Sequence, residues 1–484
     1  MYINNKILVG KNDTKEAYIL PKMANRHGII SGASGSGKTV TLKVLAESFS
    51  DAGTPVFLID VKGDLAATTF KGLPNENVNK RIENLKLENF EFKKYPTTFW
   101  DVYGKYGHPI RTTVDKVGTN LLSKMLGLSD TQEGVLKVAF KIAEDENLEL
   151  VDLEDLRALL NYVGEKRKDY SLSYGNITTQ SIGTIQRNIL SLQEDGGDYF
   201  FGKPDFDIKD FIHFDKDTGN GQINILHAAK LFQKNNLYST FILWLLTYVY
   251  NSLEEEGDLD KPKLVLFIDE AHLLFDDIPK ELLDSIIQIV KLIRSKGVGL
   301  YFISQSPSDI PDEILSQLGN RIQHVLRYYT KNDEKAIKAA ANSFRINPNL
   351  DTEEEIKNLG TGVALVSFQD EYGTPEMVEK VTILPPQSSM GAIDDDIRFE
   401  LIKRSYLYGK YENKIDTESV KEKLEKLKEE EPKEEEEEKE KEKPKKEKKE
   451  KPSKAEKALN KVTNSALNTV GRRIGNSLFK NIFK

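Results

Sequence analysis

The residues best suited to chemistry lie in two short runs that are far apart in the chain. The first, GASGSGKT from Gly32 to Thr39, fills every position of the pattern G-x-x-x-x-G-K-[ST]. The charge of a triphosphate is spread over many oxygens, so it is best met by backbone N–H groups that can come close. Gly32, Gly35 and Gly37 permit the conformations this requires, and the helix that follows offers its positive N-terminal end. The nucleotide-binding run therefore comprises Gly32, Ala33, Ser34, Gly35, Ser36, Gly37, Lys38, Thr39 and Val40. Lys38 is expected to neutralise the β and γ phosphates. Thr39 is expected to offer its hydroxyl to Mg²⁺, the hard cation that bridges them.

The second run is LVLFIDEAH, Leu264 to His272. Its apolar part reads as a strand in the sheet interior that delivers Asp269 to the strand's C-terminal end, as a ligand for Mg²⁺. Glu270 is then placed to orient and activate the attacking water, a role that binding without hydrolysis would not need. Alone, two adjacent acids after a strand read equally well as a helix cap. A complete phosphate loop upstream favours the catalytic reading.

Four further groups are open to two readings each. Gln305, in YFISQSP, is either a γ-phosphate sensor at the end of the next strand or a polar loop residue. Arg294, in KLIRSKGVG, either faces solvent in a helix's last turn or reaches a γ-phosphate in its own or an adjacent subunit. Arg26 and Arg321 are weaker candidates of the same kind. In DVKGDL, Asp60 to Leu65, Lys62 and Asp64 either face the nucleotide or simply shape the loop.

These groups need elements to position them. His27 to Ser31 reads as a buried strand, and Val40 to Phe49 has apolar residues at helical spacing. Val56 to Asp60, Leu264 to Asp269 and Gly299 to Ser304 read as further strands with helices between them. The expected fold is α/β, a P-loop core with a parallel sheet. The core is split, residues 1–66 and 259–388, by an interval at 67–258 expected to be a mostly helical insertion with polar and aromatic loops around Phe99, Trp100, Tyr103 and Tyr106. The globular part is expected to end at Ile383 to Gln387, with an extension over 389–418. Residues 419–453 are almost wholly Glu and Lys, broken by Pro432, Pro444 and Pro452, and are expected to be a disordered linker. Residues 454–484 read as a basic amphipathic helix, carrying Ala458, Leu459, Val462 and Ile474 among Lys454, Arg472 and Arg473. Such a helix docks on its own or a neighbouring subunit, or meets an acidic membrane surface, a protein partner or DNA.

Composition narrows the class. The 484 residues contain no cysteine, which excludes disulfides, thiolate metal sites and cysteine nucleophiles. No secretion signal and no stretch of membrane-spanning length is read, so the expected location is the cytoplasm. The net charge of −8 argues against nucleic-acid binding over the whole surface but leaves room for a basic channel. With six histidines and no second carboxylate–histidine cluster, nuclease chemistry within the chain is not expected.

Taken together, ANRHGIISGASGSGKT, FLIDVKGDL, LFIDEAHLLFDD, LIRSKGVGLYFISQSP and QLGNRIQHVLR resemble the HerA-like branch of the HerA/FtsK ATPases. The resemblance implies a RecA-like core, assembly into a homo-oligomeric ring, commonly a hexamer, and movement of DNA through its channel at the expense of Mg·ATP. It further implies Lys38 and Thr39 at the phosphates, Asp269 at the metal, Glu270 as catalytic acid/base, Gln305 as sensor and Arg294 as the arginine that contacts nucleotide. Arg26 matches a second arginine that acts between subunits in some members. Members normally carry an N-terminal β-barrel, whereas about 25 residues precede the P-loop strand in this sequence; the expectation is a chain without the barrel, with nuclease partnership correspondingly in question. Two functions compete, and a third, membrane-associated pumping of DNA or protein as in conjugation and secretion motors, has only the basic terminal helix in its favour. One is a DNA translocase or helicase; the other is an ATP-dependent regulator that remodels a protein partner held through the insertion or the terminal helix.

Overall fold

The computed structural model describes residues 1–430 apart from 258, 277 and 416–417. The basic terminal helix and the linker beyond residue 430 lie outside the described residues. The chain divides into the units Met1–Glu425 and Lys426–Lys484. The first holds every element considered below; the second contributes only the end of the helix Val420–Glu430.

Short runs rich in β-branched and aromatic residues, buried on both faces, form one 13-stranded sheet. From one side its parallel part runs Asn320–Gln323, Gly28–Ser31, Val298–Ser304, Leu264–Ile268, Val56–Asp60, Ile223–His227, Thr97–Asp101 and His108–Pro109. Beyond Asn320–Gln323, the strands Val363–Ser367, Glu379–Ile383, Lys6–Lys11 and Tyr2–Ile3 continue it in antiparallel fashion, and Glu16–Ile19 pairs with Lys6–Lys11. Ser31 stands opposite both Ser304 and Gln323, while Ile268 stands opposite Phe302 and Ile59. The ends of four central strands are therefore level, and the loops that leave them emerge side by side.

The helix Lys38–Asp51 follows the P-loop strand and is buried around most of its circumference. Its polar residues accordingly need partners. Glu47 accepts hydrogen bonds from the backbone of Gln387 and Ser388 and from the Ser388 hydroxyl, and Lys43 donates to the Ser389 carbonyl. The chain leaving the last strand thus clamps the helix that carries Lys38 and Thr39.

In two places the structure differs from the expectation. Within 67–258, Phe99 and Trp100 are not in a loop: Thr97–Asp101 is a buried strand that, with Ile223–His227, extends the core sheet. The helices between Val114 and Phe200 separate these two strands. Nor does the globular part end at Gln387. Arg398 is buried beside Asp60 with its guanidinium 5.0 Å from the Phe99 ring. Tyr411 is fully buried against Trp100 and Phe206, and its hydroxyl donates to Asp210. Even the start of the expected linker is helical, with Val420 and Leu424 buried and the Val420 N–H donating to Asp155. The charged composition hides these few anchors, which do the packing. Replacing Tyr411 by alanine should therefore lower stability by about 3 kcal/mol, the usual cost of emptying a buried aromatic site, read as a lower denaturant midpoint; an unchanged midpoint would show that the extension is not part of the folded unit.

Candidate functional site

The phosphate loop leaves the Gly28–Ser31 strand and is tied down on both sides before the helix starts. The Gly32 N–H donates to the Ser304 carbonyl (3.3 Å) and the Ala33 N–H to that of Val325 (2.8 Å). Gly32, Gly35 and Gly37 have φ values of +152°, +74° and +114°, in the region that residues with a Cβ rarely enter. Space is short as well. A Cβ on Gly32 would lie 2.5 Å from that of His324, and one on Gly37 3.2 Å from the Gly362 backbone.

His324 forms the floor of this loop. Its N–H donates to the Ser31 carbonyl, Nδ1 lies 3.1 Å from the Val363 carbonyl and Nε2 2.9 Å from the Thr41 hydroxyl. Burial pushes its pKa down to about 4, so the ring is neutral at pH 7. The carbonyl can only accept, which assigns the single ring proton to Nδ1 and leaves Nε2 to face Thr41. Sequence reasoning did not single out His324, since its partners are distant in the chain.

Lys38 is buried and donates to the Gly32 and Ala33 carbonyls at 2.6 and 3.2 Å. Desolvation lowers its pKa, against the favourable charge of Glu270. Asp269 and Glu270 follow the Leu264–Ile268 strand, two strands from the loop, and are 6% and 7% exposed. Burial raises the Asp269 carboxyl to about 7, with Lys62 acting in the opposite direction. Glu270 adopts φ +48°, and its N–H donates to Asp269 Oδ1. The next N–H, of Ala271, donates to Ile303 on the strand between. A left-handed non-glycine residue costs on the order of 1–3 kcal/mol and persists where its surroundings impose it. Here that conformation turns the carboxylate back over the sheet edge, where Lys62 Nζ meets its Oε1 at 2.6 Å. Burial raises the Glu270 pKa, but this contact outweighs it and holds the carboxyl below its usual range.

The residues fit Mg²⁺. Asp269 is a buried carboxyl whose ionised form is compensated only in part, by the Glu270 N–H and the charge of Lys62, and Thr39 stands at the start of the Lys38–Asp51 helix. Among the described residues no group of three or more His, Cys, Asp or Glu is arranged to hold a metal unaided. One carboxylate, one hydroxyl and the substrate's phosphates are what Mg²⁺ commonly takes. The Ser36 hydroxyl is buried without a hydrogen-bond partner, and Glu270 Oε2 has only His272 Nδ1 near it, at 3.4 Å, which leaves polar capacity for substrate and water.

Gln305 is exposed just beyond the Val298–Ser304 strand, which lies between the P-loop strand and the Asp269 strand. Lys38, Thr39, Asp269, Glu270 and Gln305 therefore share one edge of the sheet, and Lys62 joins them. Asp64 stays beside Asp60 and Lys43. Arg294 does not join them. It precedes the seven-residue strand that Gln305 follows, so the two lie at opposite edges, roughly 20 Å apart at the rise of a strand. Arg294 instead acts electrostatically on His27, at the beginning of the P-loop strand, and Arg26 shares that far edge. Arg321 is bonded to the Leu315 and Leu318 carbonyls. Contact of Arg294 with the nucleotide bound by its own subunit is excluded by this placement.

Beside the loop, on the flank of Gly37 and Val40, opens a cleft of about 1280 Å³ lined by Arg81, Gly362, Lys380 and Pro385 among others. Substituting Gly37 by alanine should lower affinity for a fluorescent ATP analogue by roughly tenfold or more, given the strain at φ +114° and the close Gly362 backbone. Alanine at Gly134, a helical position with open space around it, should leave affinity unchanged; equal effects at both positions would contradict this account of the loop.

The fold and sequence both have relatives. The structure is similar to the bacterial conjugative coupling protein TrwB in its unbound monoclinic form, with a TM-score of 0.52 at 16% identity, covering 77% of this chain and 88% of that one. A plasmid coupling protein TrwB in complex with a non-hydrolysable ATP analogue gives a TM-score of 0.51 at 15% identity, covering 79% and 91%. These likenesses are of fold, an α/β sheet covered by helices. In sequence, the DNA double-strand break repair helicase HerA of Sulfurisphaera tokodaii is 24% identical over 381 residues, 76% of this chain and 67% of the relative. That of Sulfolobus acidocaldarius is 24% identical over 366 residues, 74% and 65%. The matches span about two thirds of these relatives' length. The family described as Helicase HerA-like C-terminal matches residues 5–484, and the chain belongs to that family of P-loop ATPases.

Proposed function

We propose that this protein hydrolyses Mg·ATP as one subunit of a homo-oligomeric ring, a hexamer by kinship, and couples turnover to movement along DNA. The observation that carries the reading is the meeting of Lys38, Thr39, Asp269, Glu270 and Gln305 at one sheet edge, with Arg294 and Arg26 at the opposite one. Lys38 gives up its loop carbonyls for phosphate oxygens. Thr39 and Asp269 would hold Mg²⁺, whose charge would offset that developing on the phosphates. Glu270 takes the proton of the attacking water, and Gln305 orients that water or the γ-phosphate. The cleft beside Val40 takes the nucleoside, with the basic Arg81 and Lys380 at its wall.

Head-to-tail packing of identical subunits supplies what a single chain lacks. It sets the far edge of one subunit against the nucleotide edge of the next and closes into a ring when the rotation allows. Arg294 then serves a neighbour's γ-phosphate, and Arg26 is a second candidate. The kinship with DNA double-strand break repair helicases supports DNA as what the ring moves on.

Two measurements test this. Double- or single-stranded DNA should raise the steady-state ATPase rate at low salt; no stimulation and no binding of either would sink the motor reading and favour a ring that remodels a protein partner. In the second, Glu270→Gln and Arg294→Ala proteins are assayed separately and mixed. Each alone should lose at least about 100-fold in turnover, and the mixture should recover a measurable share, because some interfaces then pair an intact site with an intact arginine. A mixture as inactive as its components would rule out Arg294 as the trans-acting group.

A further inference from the structure

Lys62 lies outside the phosphate loop and outside the Asp269–Glu270 run, yet it makes the shortest polar contact of the carboxylate assigned to water activation. Its Nζ is 2.6 Å from Glu270 Oε1. The two ends of this contact differ in exposure. The Glu270 side chain is 9% exposed and fixed by its left-handed backbone, whereas that of Lys62 is 47% exposed. The base of the lysine is nonetheless rigid. Asp60, buried at the end of the Val56–Asp60 strand, accepts hydrogen bonds from the Gly63 and Leu65 N–H groups at 2.7 and 3.1 Å, and Gly63 turns the loop at φ +77°. A rigid turn thus carries a long flexible arm that ends on a catalytic carboxylate.

The position of that arm relative to the substrate follows from the chemistry. A carboxylate that activates water lies about 3 Å from it, and the water lies about 3–3.5 Å from the phosphorus it attacks. An ammonium on that carboxylate is therefore within one side-chain rotation of the γ-phosphate oxygens. Lys38, another cation at this edge, is close enough to Lys62 to feel its charge. Each is bound by the protein, Lys38 by the loop carbonyls and Lys62 by Glu270.

We propose that Lys62 is a γ-phosphate-sensing positioning residue: its ammonium neutralises and restrains Glu270 while the site lacks a γ-phosphate, and swings to that phosphate when ATP binds, releasing Glu270 to accept the proton of water. This rests on the ATPase reading above. Only a nucleotide with a third phosphate has a competing anion at that position, so the exchange discriminates ATP from ADP. It ties the freeing of the catalytic carboxylate to the presence of something to hydrolyse.

The test is equilibrium binding of ATP and of ADP, each with Mg²⁺, together with steady-state turnover, for the wild-type chain and the Lys62→Met and Lys62→Arg proteins. Lys62→Met should weaken ATP about 10- to 100-fold, the range expected of a lost hydrogen bond to a charged group, leave ADP within about twofold and lower kcat. Lys62→Arg, which keeps the charge, should recover most of the ATP preference. ATP and ADP affinities falling together, or an unaltered Lys62→Met protein beside an active wild type, would overturn the proposal while leaving the ATPase reading intact. Failure of the wild type to hydrolyse ATP would overturn that reading itself, and is told apart by the same wild-type control.

Discussion

The parallel register of four strands is the constraint on which the rest depends. Gly28–Ser31, Val298–Ser304, Leu264–Ile268 and Val56–Asp60 are hydrogen-bonded neighbours running in one direction with their ends level. Adjacent strands are about 4.8 Å apart, so the phosphate loop and Asp269 are held roughly 10 Å apart, with room between them for Mg²⁺ and a γ-phosphate. A one-residue slip in any pair would move its loop about 3.3 Å along the edge and out of register with the others. The all-apolar runs of these strands therefore serve the site as directly as the polar residues that follow them.

This edge gathers charges that are costly to bury. Two ammoniums and two carboxylates meet there, and the protein compensates them only in part: Lys38 on carbonyls, Lys62 on Glu270, Asp269 raised to about 7 by burial. A triphosphate with Mg²⁺ brings both the anions that Lys38 and Lys62 need and the cation that Asp269 lacks. The strain at Glu270, and its second oxygen with only His272 Nδ1 at 3.4 Å beside it, belong to the same arrangement. Perturbed and partly satisfied groups of this sort concentrate where binding completes them.

What the sequence makes legible is what local chemistry fixes. The phosphate loop, the five-residue apolar runs and the acid pair each carry their signal within a dozen residues, and the strands at Val56–Asp60 and Leu264–Ile268 stand where periodicity puts them. Features that depend on distant pairing do not show. Phe99 and Trp100 read as loop because their partners, at Ile223–His227, lie over a hundred residues away beyond a helical excursion. His324 and the Lys62–Glu270 contact are invisible for the same reason. The charged region after Gln387 conceals Arg398 and Tyr411, which composition averages away. The register also decides a question that the sequence leaves open, since it puts Arg294 at the far end of the strand from Gln305 and so removes the within-subunit reading.

The central claim is that this edge hydrolyses ATP through Glu270, and its most direct test is binding and turnover measured side by side on one variant. For Glu270→Gln, which keeps the size of the side chain and removes its basicity, the account predicts Mg·ATP affinity at least equal to wild type and a turnover rate lower by at least about 100-fold. Turnover close to wild type would contradict it.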